Sequence, residues 1–266
     1  MRQRHLLAEG ILIADARHSL HNHSQFSDGG ATLREMAVAA KRAGLRYFGI
    51  SDHYTRHPEF GEPFWSMKTA DLPAYFAEIA ALKAELQDDS FSLLAGLELD
   101  YFPENHAETL AHLADHPLDY LIGSVHFCGA FALDESAADY EKLTESELLQ
   151  LWQESFRRLE QAAATGDFDW LGHIDLAKKF TGFPAGVDVS GLVKVLKACR
   201  RTATAIELNT AGWDKPCREP YPGEKLLKLV CAELVPVVIT ADAHSVREIT
   251  RHFDRARQLL AQVNAE

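Results

Sequence analysis

A chain of 266 residues with 27 Lys+Arg against 39 Asp+Glu carries a formal net charge of −12. That balance excludes a general binder of long nucleic acid, which neutralises phosphates with a basic surface. Hydrophobic content of 47% and charged content of 25% suit a globular protein, and no apolar run approaches the ~20 residues of a membrane span.

The opening stretch "MRQRHLLAEGILIADARHSL" lacks the apolar core and cleavage site of a signal peptide. The four cysteines (Cys128, Cys199, Cys217, Cys231) are scattered, with no CxxC pair, so a reduced, cytoplasmic chain is expected. The length admits one large α/β domain or two small ones. A single domain over 1–266 is expected, with 1–14 as an N-terminal extension. Oligomeric state is left open.

Taken in chain order, the first candidate strand is "ARHSLHNH". It sets His21 and His23 at i and i+2, on one face of a strand. Asp28 and the Gly29-Gly30 pair read as the turn after it. "ATLREMAVAAKRAG" follows with the three- and four-residue apolar spacing of an amphipathic helix. "RYFGISDH" is a strand ending at His53, "DLPAYFAEIAALKAELQ" a helix, and "FSLLAGLELDYF" a strand carrying Glu98. "LDYLIGSVHF" ends near His126; the helix "TESELLQLWQESFRRLEQAAATG" leads to "FDWLGHID" and His173. "SGLVKVLKACRR" precedes "TAIELNT", the one strand without a ligand at its end. "GEKLLKLVCAEL" precedes "VPVVITADAH", which brings Asp242 and His244, again at i and i+2.

Strands alternating with helices predict βαβ units and a parallel sheet. The fold class predicted is α/β: a distorted (β/α)7 TIM-like barrel, with an open doubly wound sheet as the alternative. In a barrel the C-terminal strand ends meet at one mouth. Nine N/O side chains (His21, His23, Asp28, His53, Glu98, His126, His173, Asp242, His244) would then converge. One histidine after an apolar strand is an ordinary polar cap; six strand ends repeating it are not. Nine ligands exceed one ion's needs and suit two or three divalent ions. Imidazole with carboxylate suits zinc, manganese or iron. The other histidines (His5, His18, His57, His106, His112, His116, His252) read as solvated or satisfied.

The motifs "HNHSQFSDG", "GISDH", "GLELDY", "IGSVHF", "LGHIDLAKKF" and "ITADAH" resemble, in order, those of the PHP (polymerase and histidinol phosphatase) superfamily. Within it, "IELNTAGWDKPCREPYPGEKLLKL" is similar to a segment of histidinol-phosphate phosphatases. The resemblance implies the distorted barrel and a di- or trinuclear site on the same nine residues. Two departures bear on substrate. "SDG" is closer to the PHP domains of DNA polymerases and related phosphoesterases. "GWDKP" puts Asp214 where an arginine is expected, with Arg218 four residues on.

The expected function is metal-dependent hydrolysis of a small phosphate monoester, with L-histidinol phosphate favoured and a nucleotide ester as the alternative. Two or three ions would leave such a site at about +1 or +3, suited to a phosphate dianion. A hydroxide bridging two ions is the expected nucleophile. Glu98 and Asp28 are the candidate bridging or anchoring carboxylates, and Asp242 or His244 the candidate proton source for the leaving alkoxide. Lys178, Lys179, Lys215 and Arg218 are candidate phosphate contacts. Asp52 and Asn209 read either as orienting partners of the ligands or as strand-end hydrogen bonding. Trp213 and Tyr221 read either as pocket lining or as packing. An amidohydrolase, which needs fewer ligands, and a non-catalytic module, which would have lost some, fit less well.

Overall fold

A computed structural model describes residues 17–265. The expected extension 1–14 and His5 lie outside the described residues. The chain divides into two compact units: residues up to Ile122 together with Thr240–Phe253, and Gly123–Ile239 together with Asp254 onward.

In the first unit, β1 (His18–Ser19), β2 (Tyr47–Ile50), β3 (His53–Tyr54) and β4 (Ser92–Asp100) pair in parallel, with His18 opposite Tyr47, Phe48 opposite Leu93 and His53 opposite Glu98. Helices α1 (Leu33–Arg42) and α2 (Leu72–Leu86) intervene, and α3 (His106–Leu113) follows β4. Seven of the nine residues of β4 are buried. A parallel strand covered on both faces reads as a continuous apolar run rather than an alternating one. Helix α1 starts where the sequence predicts because Thr32 and Glu35 close a capping box. β5 (Tyr120–Ser124) begins here, and the Tyr120 ring fills the space left by Gly49 and Gly96, where any Cβ would overlap it.

The second unit takes the end of β5, the short antiparallel hairpin β6 (Phe127–Cys128) and β7 (Phe131–Ala132), then β8 (Trp170–Leu171), β9 (Ala205–Asn209) and β10 (Val237–Thr240). Its helices are α4 (Ala137–Tyr140), α5 (Glu145–Thr165), α6 (Ser190–Thr202), α7 (Glu224–Ala232) and most of α8 (Phe253–Ala265). A Thr144–Glu147 capping box opens α5 and Gly166 ends it in the left-handed region.

The main sheet runs β1-β2-β4-β5-β8-β9-β10, with β3 on β4. Strands alternate with helices and keep chain order, as predicted for the α/β class. Beyond β1, Asn22 bridges Ala243 in parallel, within the first unit.

Several strands are shorter than their apolar runs. "RYFGISDH" is broken at Ser51-Asp52, where side chains take over the hydrogen bonding: Ser51 Oγ accepts from Asn22 N (3.1 Å), and Asp52 accepts from Ser24. "FDWLGHID" pairs only at Trp170–Leu171 and then turns, with His173 at a positive φ of 21°. Periodicity reports burial, and burial continues past the last ladder bond into the segments that carry polar side chains inward.

Candidate metal centre

His21 and His23 lie beyond β1, not on a regular strand. The i, i+2 projection survives because the backbone between them still pairs: His23 N donates to Ala243 O (2.8 Å) and Ala243 N to His21 O (3.2 Å). Asn22, on the opposite side, is buried and ties Ser19 to Gly49, its Nδ2 donating to both carbonyls (3.1 and 2.8 Å). The turn then folds back on itself. Gly29 N donates to Ser24 O (2.9 Å), and a Cβ on Gly29 would sit 2.5 Å from His23 O, so only glycine fits. Asp52 accepts from Ser24 N, Ser24 Oγ and Ser27 Oγ (2.7, 2.7 and 2.5 Å). Its role is to shape the turn that delivers Asp28.

Three carboxylates and four imidazoles of the first unit meet there. Glu98 Oε2 lies 2.7 Å from His53 Nδ1, 3.3 Å from His21 Nε2 and 3.6 Å from His23 Nε2. Asp242 Oδ1 lies 3.1 Å from His23 Nε2, 3.6 Å from His21 Nε2 and 3.8 Å from His244 Nδ1. Asp28 Oδ1 lies 3.3 Å from His244 Nε2 and 3.7 Å from His53 Nε2. The ligand atoms of His23, Asp28, His53 and His244 lie within 4.8 Å of one another, as do those of His21, His23 and Glu98. Exposure rises from a floor of His21, His23 and Glu98 (side chains 0%) to a rim of His244 and Asp28 (35% and 37%).

His23 is stacked between two other imidazoles, 4.2 Å from His53 and 4.3 Å from His244. Burial, then the neighbouring His53 and His244, push its pKa down to about 3, so its ring is neutral near pH 7. Burial works against a charged His244, but the hydrogen bond to Asp28 and the Asp242 charge carry it up to about 9. Burial likewise opposes ionised Asp28 and Asp242; the imidazoles outweigh it and hold both carboxyls below their usual range. Asp242 sits at a positive φ of 48°, with its carbonyl accepting from Arg251 (3.3 Å). Backbone strain of this kind persists where the surroundings over-determine it, commonly at functional sites.

This donor set fits a divalent cation. It offers imidazole nitrogen and carboxylate oxygen, the ligand types of zinc, manganese and iron. His23 Nδ1 is buried with no hydrogen-bond partner among the described residues.

The second unit holds the other candidates. His126 and His173 are each 4% exposed, with ring centroids 4.9 Å apart. The sequence reading passed over Glu207, on the strand that ends without a ligand. It is fully buried and accepts from His173 N (2.8 Å) and Asn209 Nδ2 (3.1 Å), fixing the strained His173 backbone. Asn209 itself caps the following turn through Ala211 N (2.9 Å). Asp134 was also passed over. Burial raises its carboxyl, but His126, Lys179 and His173 together hold it below the usual range.

Lys178 differs from the expected phosphate contact. It is 1% exposed and its ammonium is consumed internally, donating to Pro220 O (2.6 Å) and pairing with Asp175 Oδ2 (2.7 Å) over the Tyr221 ring. Lys179 is engaged by Asp134 through its carbonyl (2.6 Å) and carboxylate (3.3 Å). Lys215 is half-buried and Arg218 exposed. Trp213 is packing: it joins Leu208, Leu227, Ala256 and Val263 in an apolar cluster, under the Arg255 guanidinium. Tyr221 is buried against Lys178 and Cys217.

Comparison with known proteins gives a consistent picture. The family model described as "PHP domain" matches residues 19–211. A probable histidinol-phosphatase of Deinococcus radiodurans is 36% identical over 226 residues, 84% of each chain. The DNA polymerase/3'-5' exonuclease PolX of Bacillus subtilis is 28% identical over 240 residues, 90% of this chain and 36% of that protein. A crystal structure of histidinol phosphate phosphatase from Lactococcus lactis, complexed with zinc, L-histidinol and phosphate, superposes with a TM-score of 0.75 at 23% identity, covering 93% of this chain and 94% of that one. At that identity the likeness shows the fold, a distorted (β/α)7 barrel. No described helix is long and apolar enough to cross a membrane.

Proposed function

Because this chain belongs to the PHP domain family, we propose that it is a metal-dependent phosphatase of small phosphate monoesters, with L-histidinol phosphate as the favoured substrate. The observation that carries the reading is the first-unit cluster, in which Glu98, Asp242 and Asp28 each face two or three imidazole nitrogens at 2.7–3.8 Å. The 36% identity to a probable histidinol-phosphatase supports the substrate. The proposed ligands are His21, His23, Asp28, His53, Glu98, Asp242 and His244; the motifs add His126 and His173 of the second unit. Bound divalent ions would supply Lewis acidity and lower the pKa of water to about 7, making a nucleophile at neutral pH.

The chain's own residues do the rest. Glu98, at the floor, accepts from or ligates beside three histidines and sets their spacing. Asn22 and Asp52 hold the "HNHS" segment in register and so keep His21, His23 and Asp28 on one centre. Asp242 and His244 approach the rim. Of these two candidate proton sources for the leaving alkoxide, His244 is the one that can hold a proton near neutral pH, since the imidazoles around Asp242 outweigh its burial and keep it ionised. Lys215 and Arg218 remain candidate phosphate contacts; Lys178, paired inside, is replaced in that role.

The PolX relative favours a second reading. It matches 90% of this chain, and the "SDG" turn is the form read above as polymerase-like, so a nucleotide ester is the competing substrate. The −12 charge disfavours a long strand but permits a mononucleotide. The test is phosphate release by protein loaded with zinc, manganese or iron, from L-histidinol phosphate, a nucleoside monophosphate and an aryl phosphate, with and without chelator. Chelator-sensitive turnover led by histidinol phosphate is expected. Turnover led by the nucleotide would overturn the substrate, and no release with metal bound would overturn the reading.

A further inference from the structure

The chain leaves the centre at His53 and returns to it thirteen residues later. Met67 N and Ser66 Oγ both donate to His53 O (3.0 and 3.2 Å), and Thr55 N donates to Ser66 Oγ (2.8 Å). The excursion is braced by hydrogen bonds and a ring stack. His57 and Gly61 exchange backbone hydrogen bonds (2.8 Å each), and the His57 ring stacks on Phe60 at 3.5 Å. Lys68 Nζ donates to Glu62 O and Pro63 O (2.9 and 2.7 Å), and Thr69 N to Glu62 Oε1 (2.8 Å).

This braced loop holds Phe64 at 90% exposure and Phe60 at 52%. Between its tip and its base the half-buried Trp65 ring stands edge-on to His53, 4.9 Å between centroids at 74°. His53 spans the centre, with Nδ1 toward Glu98 at the floor and Nε2 toward Asp28 at the rim. Trp65 therefore stands against a ring that reaches from the floor of the cluster to its rim. A loop so tied cannot collapse to bury its aromatics, and exposed aromatics on a pre-ordered frame lose little entropy when something flat settles on them.

We propose that Trp65 is the specificity-determining wall of the site, stacking on a planar ring carried by the alcohol half of the substrate. The substrate class is then a phosphate monoester whose leaving alcohol bears a flat ring close to the ester oxygen. The inference rests on the phosphatase reading above and narrows it.

The test compares kcat/KM of the metal-loaded full-length protein for phenyl phosphate and L-histidinol phosphate with that for ring-free glycerol 3-phosphate, with bound metal measured in every sample. The wild type should prefer the ring-bearing esters. Trp65→Ala should cut that preference about tenfold, and Trp65→Phe should retain it within about threefold. An unchanged ratio in Trp65→Ala, or a wild type that treats all three esters alike, overturns the wall while leaving a phosphatase. Loss of bound metal in Trp65→Ala with the ratio intact also overturns it and makes Trp65 a support for His53. Failure of the wild type to release phosphate from any ester overturns the phosphatase reading and the wall together.

Discussion

The two units assemble the same residue types to different ends. In the first, the partners that approach Glu98, Asp28 and Asp242 are imidazoles. In the second, Asp175 is approached by the ammonium group of Lys178, while Asp134 feels the Lys179 ammonium together with the His126 and His173 imidazoles. A lysine neutralises a buried carboxylate permanently, whereas an imidazole can give up its proton and share the carboxylate with a cation. The imidazole arrangement is suited to holding ions, the Lys178–Asp175 pair to holding structure.

The largest effect that could break this contrast is on stability. Lys178→Ala leaves Asp175 buried without its charge partner, and denaturant unfolding should show a loss of about 3–5 kcal/mol. Were Lys178 a phosphate contact instead, KM would rise with stability unaltered. Glu98→Gln should act in the opposite way, lowering kcat/KM at least about 100-fold and reducing bound metal, because a neutral amide serves three histidines and an ion less well than a carboxylate.

Metal addition sharpens the same contrast. At 100 times Kd an ion stabilises by about 2.7 kcal/mol, which in a chain of this size raises Tm by about 5–10 °C. Glu98→Gln should abolish that rise, and a wild type whose Tm ignores zinc, manganese and iron would count against the centre. Smallest is Arg218→Ala: the side chain is exposed, and steady-state kinetics should show KM raised by no more than about tenfold with kcat kept.

Much of this was readable in one dimension. The helices Leu33–Arg42, Leu72–Leu86 and Glu145–Thr165 fall inside the segments that apolar spacing marks, because caps such as Thr32 and Thr144 are local features. HxH was readable because i, i+2 projection needs only extended backbone; DxH was readable as a spacing, although Asp242 leaves extended backbone with a φ of 48°. The roles of Asp52 and Lys178 were not. Each sits beside a motif histidine or in a basic pair. Asp175, three residues before Lys178, is a local partner, yet Ser24 and Ser27 reach Asp52, and Pro220 reaches Lys178, only where the chain returns. Glu207 and Trp65 were missed for the same reason.

The amino-acid order by itself determined the α/β alternation, the strand-end placement of the candidate ligands and the acidic balance, since these follow from short-range periodicity and composition. Only the tertiary structure decided which carboxylates meet imidazoles and which meet lysines, and which aromatic stands beside His53. Asp175 with Lys178 and Asp242 with His244 are local exceptions; most of those pairings join residues tens to hundreds of positions apart. Their geometry is set by how strands and helices pack, to within the few tenths of an ångström that separate an ion pair from a hydrogen bond.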